Sequence, residues 1–273
     1  MDNLFLNPEE ISKAISDIGE KKATATIFEL FIFGILAGIY IAFGAAVATA
    51  VLSGGTLDAG LAKFLAGSVF SVGLILVLIP GSELFTGNIL MAIGFIYRKY
   101  SLTKMLRNWL VVYFGNLLGA IMIAWLVAKS GLLAGLGGLT PVGTVAVKIA
   151  EAKFQLGFTE ALCRGILCNM LVCLAVIMCI SSRTVEGKIL GIYFPIMTFV
   201  VSGYEHSVAN MYFLPAGLMA KGAFLSNFMS IFNNLIPVTI GNIIGGLLIV
   251  LLHPKVEERI ARILIRKSSA AST

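Results

Sequence analysis

GSELFTGN, residues 81–88, and GYEHSVAN, residues 203–210, are two versions of one string, Gly-x-Glu-x-x-x-x-Asn, set 122 residues apart. Each interrupts an apolar stretch too long for one simple membrane crossing, 62–97 in the first case and 189–220 in the second. A second pair accompanies them: Gly115-Asn116-Leu-Leu-Gly119-Ala120 and Gly241-Asn242-Ile-Ile-Gly245-Gly246 lie 126 residues apart. Two matches at nearly one offset, in corresponding spans, indicate an internal repeat.

The chain around these strings is built for lipid. Of its 273 residues 58% are hydrophobic and 12% charged, about half the charge of a soluble domain. A bilayer accepts so apolar a chain once each backbone N–H and C=O is paired within helices. Hydrophobic spans run over 27–52, 62–97, 105–128, 155–180, 189–220 and 232–252, each at or above the ~20 residues that cross the hydrocarbon core. With three spans per copy, the second copy sits upside down relative to the first. The expected fold is therefore an all-α membrane protein: six transmembrane helices as two inverted three-helix repeats, the second and fifth helices broken, as in aquaporins. Residues 26–253 form this channel domain, between an N-terminal amphipathic interfacial helix (1–25) and a C-terminal tail (254–273). In the first segment Asn7 can cap, Pro8 suits the first helical position, Glu10 completes a capping box, and Ile11, Ile15 and Ile18 form one stripe.

Lys and Arg orient the bundle. Fourteen flank it on the side of the termini, among them Lys13, Lys21, Lys22, Arg98, Lys188 and Lys255, against five on the other, Lys63, Lys129, Lys148, Lys153 and Lys221. Both termini are thus expected in the cytoplasm and the protein in the cytoplasmic (inner) membrane. The first 25 residues hold no continuous apolar stretch, so no cleaved signal peptide is expected. The net charge of +6 comes from these flanking residues, not from a basic soluble face, which argues against nucleic acid. Cys163, Cys168, Cys173 and Cys179 share one span at spacings that spread them around a helix; neither a disulfide framework nor a metal site is supported, and no cofactor is implied.

A helix broken inside a membrane strands backbone polar groups, so the breaks should face a cavity or pore. Pro80 removes a donor and Gly81 tolerates the turn. Where a half-helix starts, free N–H groups and the positive dipole end favour an anion. Glu83 and Glu205 stand at those starts and read as caps for orphan N–H groups rather than as paired acids. His206 is the one histidine inside a span, and imidazole is the side chain suited to change charge near neutral pH. Glu160 and Arg164, four apart, read as an in-helix pair.

The strings GSELFTGN, RGILCNMLVCLAV, GYEHSVANMY and IPVTIGNIIGG resemble the signature stretches of the formate/nitrite transporter family, over roughly residues 20 to 253. The resemblance implies a homopentamer with one pore per protomer. It further implies that His206 and Thr86 face the pore, that Asn169 lies beside them, that Lys153 draws anions into the outer vestibule, and that Asn242 is a further polar position. Two apolar constrictions are implied, Phe70 and Phe199 on one side and Leu74, Leu84 and Phe85 on the other. The expected cargo is a small monovalent anion, formate first and nitrite or hydrosulfide as alternatives, with protons as a possible second partner through His206. The stretch KFQLGF lacks histidines that often follow this lysine in formate channels, which keeps the alternatives open.

Other classes fit less well. A neutral-solute pore of this architecture would carry paired Asn-Pro-Ala breaks, and the sequence has none. An enzyme is not expected: there is no Gly-x-Ser-x-Gly elbow, and Ser207 is the immediate neighbour of His206, so the two point in different directions.

Overall fold

A computed structural model describes residues 4–55 and 57–271, the side chains of 263–271 excepted. Residues 272 and 273 of the expected tail, and the side chains of Arg266 and Lys267 that entered the charge count, lie outside the described residues. Among the described residues thirteen α-helices follow one another: α1 Pro8–Thr24, α2 Ile27–Leu52, α3 Ala59–Phe70, α4 Val72–Leu78, α5 Phe85–Asn88, α6 Met91–Ile96, α7 Leu102–Lys129, α8 Pro141–Phe154, α9 Phe158–Ser181, α10 Val185–Val201, α11 Ser207–Ala220, α12 Ile231–Leu251 and α13 Pro254–Ala271. A two-stranded hairpin, Ala134–Gly135 with Gly138–Leu139, is the only sheet among the described residues.

Among the described residues five helical stretches are long and apolar enough to cross a membrane: Ile27–Leu52, Ala59–Leu78 (α3 with α4), Leu102–Lys129, Phe158–Ser181 and Phe228–Leu251, which includes α12. The stretch 189–220, expected as a fifth span, is divided into α10 and α11, neither of which spans the core alone. Apolar side chains including Phe28, Leu110, Phe114, Trp125 and Phe194 cover the outside of the bundle, as lipid contact requires.

Glycine sets the closest helix approaches. A Cβ at Gly38 or Gly119 would strike the backbone carbonyl of Asn116 or Ile35, so α2 and α7 meet backbone to backbone. On α12, a Cβ at Gly241 or Gly245 would strike Leu162 or Ile166 on α9 in the same manner. Small residues at helix crossings maximise packing where lipid offers no hydrophobic drive.

Both breaks are built alike. Gly81 (φ 93°) and Gly203 (φ 71°) take the left-handed conformation that glycine alone adopts freely. Ser82 N–H donates to Val77 O (3.0 Å), and Tyr204 N–H to Phe199 O (3.1 Å). Glu83 N–H reaches Phe33 O on α2, and Glu205 N–H reaches Arg164 O on α9, each at 3.2 Å.

The helix α1 opens with the capping box read from the sequence, Asn7 Oδ1 accepting from Glu9 and Glu10 N–H while the Glu10 carboxylate accepts from Asn7 N–H. It packs on α6, α7, α9 and α13. Residues 4–6 pair with the turn before α10 through Leu6 N–H to Ser181 O (2.8 Å) and Arg183 N–H to Leu4 O (3.2 Å). Arg107 donates to Ala23 O and Ala25 O, both at 2.9 Å. Buried His253, just before α13, lies 3.1 Å from Ser12 Oγ through Nδ1.

Two outcomes follow from this packing. Gly245→Val overpacks the α9–α12 crossing, so its thermal unfolding midpoint in detergent drops by several degrees, from a cost of about 1–3 kcal/mol; fluorescence-detected size exclusion after heating reads the shift. Burial holds His253 below its ordinary pKa of 6.5, so the folded chain takes up that proton less readily than the unfolded one. Stability therefore falls as pH is lowered through about 6.5, and His253→Gln shows a smaller fall in midpoint between about pH 7 and pH 5 than the parent.

Candidate functional site

The two breaks bring Thr86, in the first turn of α5, and His206, just before α11, to 2.8 Å (Oγ1 to Nε2), both buried. His206 Nδ1 accepts the Ala209 N–H at 3.1 Å, so the ring hydrogen sits on Nε2 and is donated to Thr86. Thr49 and Thr198 bond back to the carbonyls of Ala45 and Phe194, the ordinary fate of threonine in a membrane helix. Among the described residues the Thr86 hydroxyl makes no such bond, and its hydrogen is free for another acceptor.

Aromatic rings and leucines frame this pair. Phe199 stacks on the His206 ring at 5.8 Å between centroids, and Phe70 meets Phe199 edge-on at 5.5 Å. A cavity of about 10 Å³ here is lined by Phe70, Leu74, Leu84, Phe199 and His206 among others, about room for one water. On the side of the termini lies a cavity of about 540 Å³, lined by Ile15, Ile18 and Lys22 of α1, by Glu83 and Leu84 at the break, and by Lys188 of α10. Leu84 lines both spaces and so forms part of the wall between them.

Phe85, expected in a constriction, does not line either cavity. Its N–H is bound by Asn116 of α7 at 2.9 Å, which turns the residue toward that helix; its ring packs edge-on against Tyr113 (5.0 Å) and Trp109 (6.5 Å).

The capping expected of Glu83 and Glu205 is carried by two asparagines. Asn116 Oδ1 accepts from Phe85 N–H, while its Nδ2 donates to Gly34 O (2.7 Å) and Glu83 O (2.9 Å). Asn242 Oδ1 accepts from Ser207 N–H (2.9 Å), while its Nδ2 donates to Gly165 O (2.8 Å) and Glu205 O (2.9 Å). Each amide thus serves one stranded N–H and two carbonyls, which a carboxylate, having no donor, could not do. Asn169 Nδ2 donates to Thr86 O (3.2 Å) and Asn242 O (2.7 Å), and Asn169 Oδ1 is a buried acceptor with no partner among the described residues.

The two carboxylates instead hold lysines. Lys153, at the end of α8, bonds both Glu205 oxygens (2.8 and 2.9 Å) and lies 5.4 Å from the Phe213 ring centroid. Asn210 donates to Glu205 (2.6 Å) and to Asn234 Oδ1 (2.8 Å). On the terminal side Lys22 contacts Glu83 (3.0 Å) and Asn88 Oδ1 (2.7 Å), and Asn88 donates to Glu83 (2.7 Å) and Asn108 Oδ1 (2.8 Å). Lys153 is therefore matched by a carboxylate rather than standing free. The Lys22 cluster was not singled out from sequence, although Lys22 precedes Lys153 by 131 residues, as Gly34 precedes Gly165. The expected Glu160–Arg164 pair does not form: the Glu160 carboxylate accepts from Gly157 N–H at 3.2 Å, the nearer partner in a first turn, and Arg164 is exposed. Among the described residues no cluster of His, Cys, Asp or Glu could hold a metal, and all four cysteines are free.

Long apolar helices around a buried polar centre, with a large cavity on the side of the termini, are the architecture of a multi-pass membrane transport protein. Residues 9–255 match the formate/nitrite transporter family model, and the chain belongs to that family. It is 43% identical to a probable formate transporter of Methanothermobacter thermautotrophicus over 92% of this chain and 96% of that one. It is 38% identical to the formate channel FocA of Escherichia coli K12, over 91% and 94% of the two. Among solved structures, a pentameric formate channel with formate bound superposes with a TM-score of 0.70 at 35% identity, covering 82% of this chain and 94% of that one. An ion channel of the same family gives 0.80 at 28% identity, over 90% and 96%.

Asn116→Ala and Asn242→Ala each leave a buried N–H and two carbonyls short of a partner, at about 1–3 kcal/mol per stranded group. Both variants are expected to unfold in detergent at clearly lower temperature than the parent. Asn227→Ala, in the exposed connection before α12, leaves the midpoint unchanged.

Proposed function

We propose that the chain is a homopentameric pore for small monovalent anions, formate first, with the Thr86 hydroxyl as the donor that meets the anion at the centre. The observation that carries this reading is the Thr86–His206 bond, which leaves the threonine hydrogen unclaimed in a buried place between apolar rings. An anion entering such a passage loses much of its hydration, and a fixed hydroxyl together with the half-helix starts offsets part of that loss. Six crossings in two inverted sets of three bring both termini to one side, and the lysine and arginine bias makes that side the cytoplasm. The recurrence of the same bonds about Glu83 and Glu205, and about Asn116 and Asn242, supports that arrangement. The formate channels among the relatives, one of them pentameric with formate bound, support both the cargo and the assembly.

Proton coupling through His206 completes the reading. Neutral His206 gives its one ring hydrogen to Thr86, and a net proton can come only from the imidazolium. Its Nδ1–H would face the Ala209 N–H, donor against donor. Lending a proton and undoing the cap on the first turn of α11 are thus one event, and passage as the neutral acid depends on pH.

In proteoliposomes the parent chain carries formate faster as external pH falls from about 8 to 5, whereas His206→Phe gives a flat profile. Thr86→Val, losing one bond to a charged group worth about 1.5–3 kcal/mol, slows flux roughly tenfold or more. Unchanged flux in Thr86→Val removes the hydroxyl from the mechanism. Competition by nitrite and hydrosulfide against labelled formate ranks the cargo.

A further inference from the structure

The 540 Å³ cavity on the side of the termini has three charged residues in its lining, Lys22, Glu83 and Lys188. Two of them cancel: the Lys22 ammonium sits 3.0 Å from Glu83 and 2.7 Å from Asn88 Oδ1, and both members of the pair are largely buried. Lys188 stands on the first turn of α10, lines the same cavity and is half-buried. Among the described residues its ammonium makes no ion pair and no hydrogen bond. Glu186, two residues earlier, is exposed and points elsewhere, since residues two apart do not share a helix face. Apart from Ser82, Asn88 and Cys179 the rest of the lining, Ile15, Ile18, Val77, Leu90 and Ile180 among it, is apolar, and low-dielectric walls concentrate the field of a single charge in a cleft. The opposite end of the passage differs, since Lys153 is held by both oxygens of Glu205.

We propose that Lys188 is the anion-collecting residue of this cavity: its uncompensated ammonium raises the local concentration of small monovalent anions next to Leu84 without binding them tightly. It is a positioning residue, because Leu84 stands between the cavity and the Thr86–His206 pair. The inference rests on the anion-pore reading above and adds the group that feeds the pore from the side of the termini. A collector acts through the field, so it lowers the concentration at which flux half-saturates, leaves maximal flux nearly unchanged, and loses its effect as salt screens it.

The test uses the full chain in proteoliposomes, with formate as the probe, at ionic strengths of about 10 mM and about 300 mM, spanning Debye lengths of roughly 30 Å to below 8 Å. For Lys188→Gln the half-saturating formate concentration is expected to rise about threefold to tenfold at low salt and to meet the parent value at high salt, with maximal flux within about twofold. Lys188→Arg keeps the parent behaviour, and Lys188→Glu goes further than Gln in the same direction. If Lys188→Gln and Lys188→Glu both match the parent at low salt, or if maximal flux falls alike at both salts with unchanged half-saturation, the collector role is overturned and the pore reading stands. If the parent carries neither formate nor nitrite, the pore reading falls and the collector with it. Should Lys188→Gln not yield folded protein, the comparison of Arg with Glu at low salt decides.

Discussion

A helix interrupted in the middle of a bilayer leaves backbone donors and acceptors with no water to bind, and every such group costs several kcal/mol if it stays unpaired. Asn116 and Asn242 remove most of that cost at the two breaks. Each inserts one amide from a neighbouring unbroken helix, accepts the first N–H of the half-helix and donates to a carbonyl on either side. That reach requires close helices, which the glycines of the same strings provide: Gly34 with Gly115, and Gly165 with Gly241, bring backbones together where any Cβ would push them apart. Asparagine and glycine in the string Gly-Asn-x-x-Gly are therefore one device. Without it neither half-helix would start where Thr86 and His206 need it.

The two lysine–glutamate clusters obey the same constraint in charged form. An isolated carboxylate at such depth would be prohibitive, and an ion pair is tolerable only when its remaining atoms are bonded too. Glu205 accepts from Lys153 and Asn210, and Glu83 from Lys22 and Asn88, while Asn234 and Asn108 hold the asparagines. Closing each pair has a functional consequence. The cluster charges cancel, so those levels present dipoles and bond donors more than a net positive charge.

Much of this was legible in the sequence, and the limits have a common cause. Hydropathy located the spans, because lipid imposes length and composition directly on the chain. The paired strings located the breaks, because a turn inside a membrane demands glycine at a left-handed position, met at Gly81 and Gly203. What spacing cannot tell is which group on another helix arrives at a given atom. Glu83 and Glu205 stand where caps belong, yet asparagines 33 and 37 residues further along the chain do the capping. Glu160 found a partner at Gly157 before it could reach Arg164. The family resemblance implied a constriction at Phe85, but the bond from its own N–H to Asn116 and its ring contact with Tyr113 set it against α7.

The centre of the molecule is where the two halves stop matching. The offset of 122 that pairs Glu83 with Glu205 and Asn88 with Asn210 also pairs Leu84 with His206 and Thr86 with Val208. Each half thus contributes one polar side chain where the other has an aliphatic one. One hydrogen bond that joins the halves at the core, Thr86 to His206, has no counterpart across the repeat, because the equivalent positions hold Val208 and Leu84. Symmetry supplies the scaffold, since each break needs the same bonds. Chemistry enters through its violation, with Leu84 as wall on one side and His206 as both cap and donor on the other. His206 binds Ala209 N–H with one nitrogen and Thr86 with the other, so it cannot change protonation state without disturbing the fold that holds it.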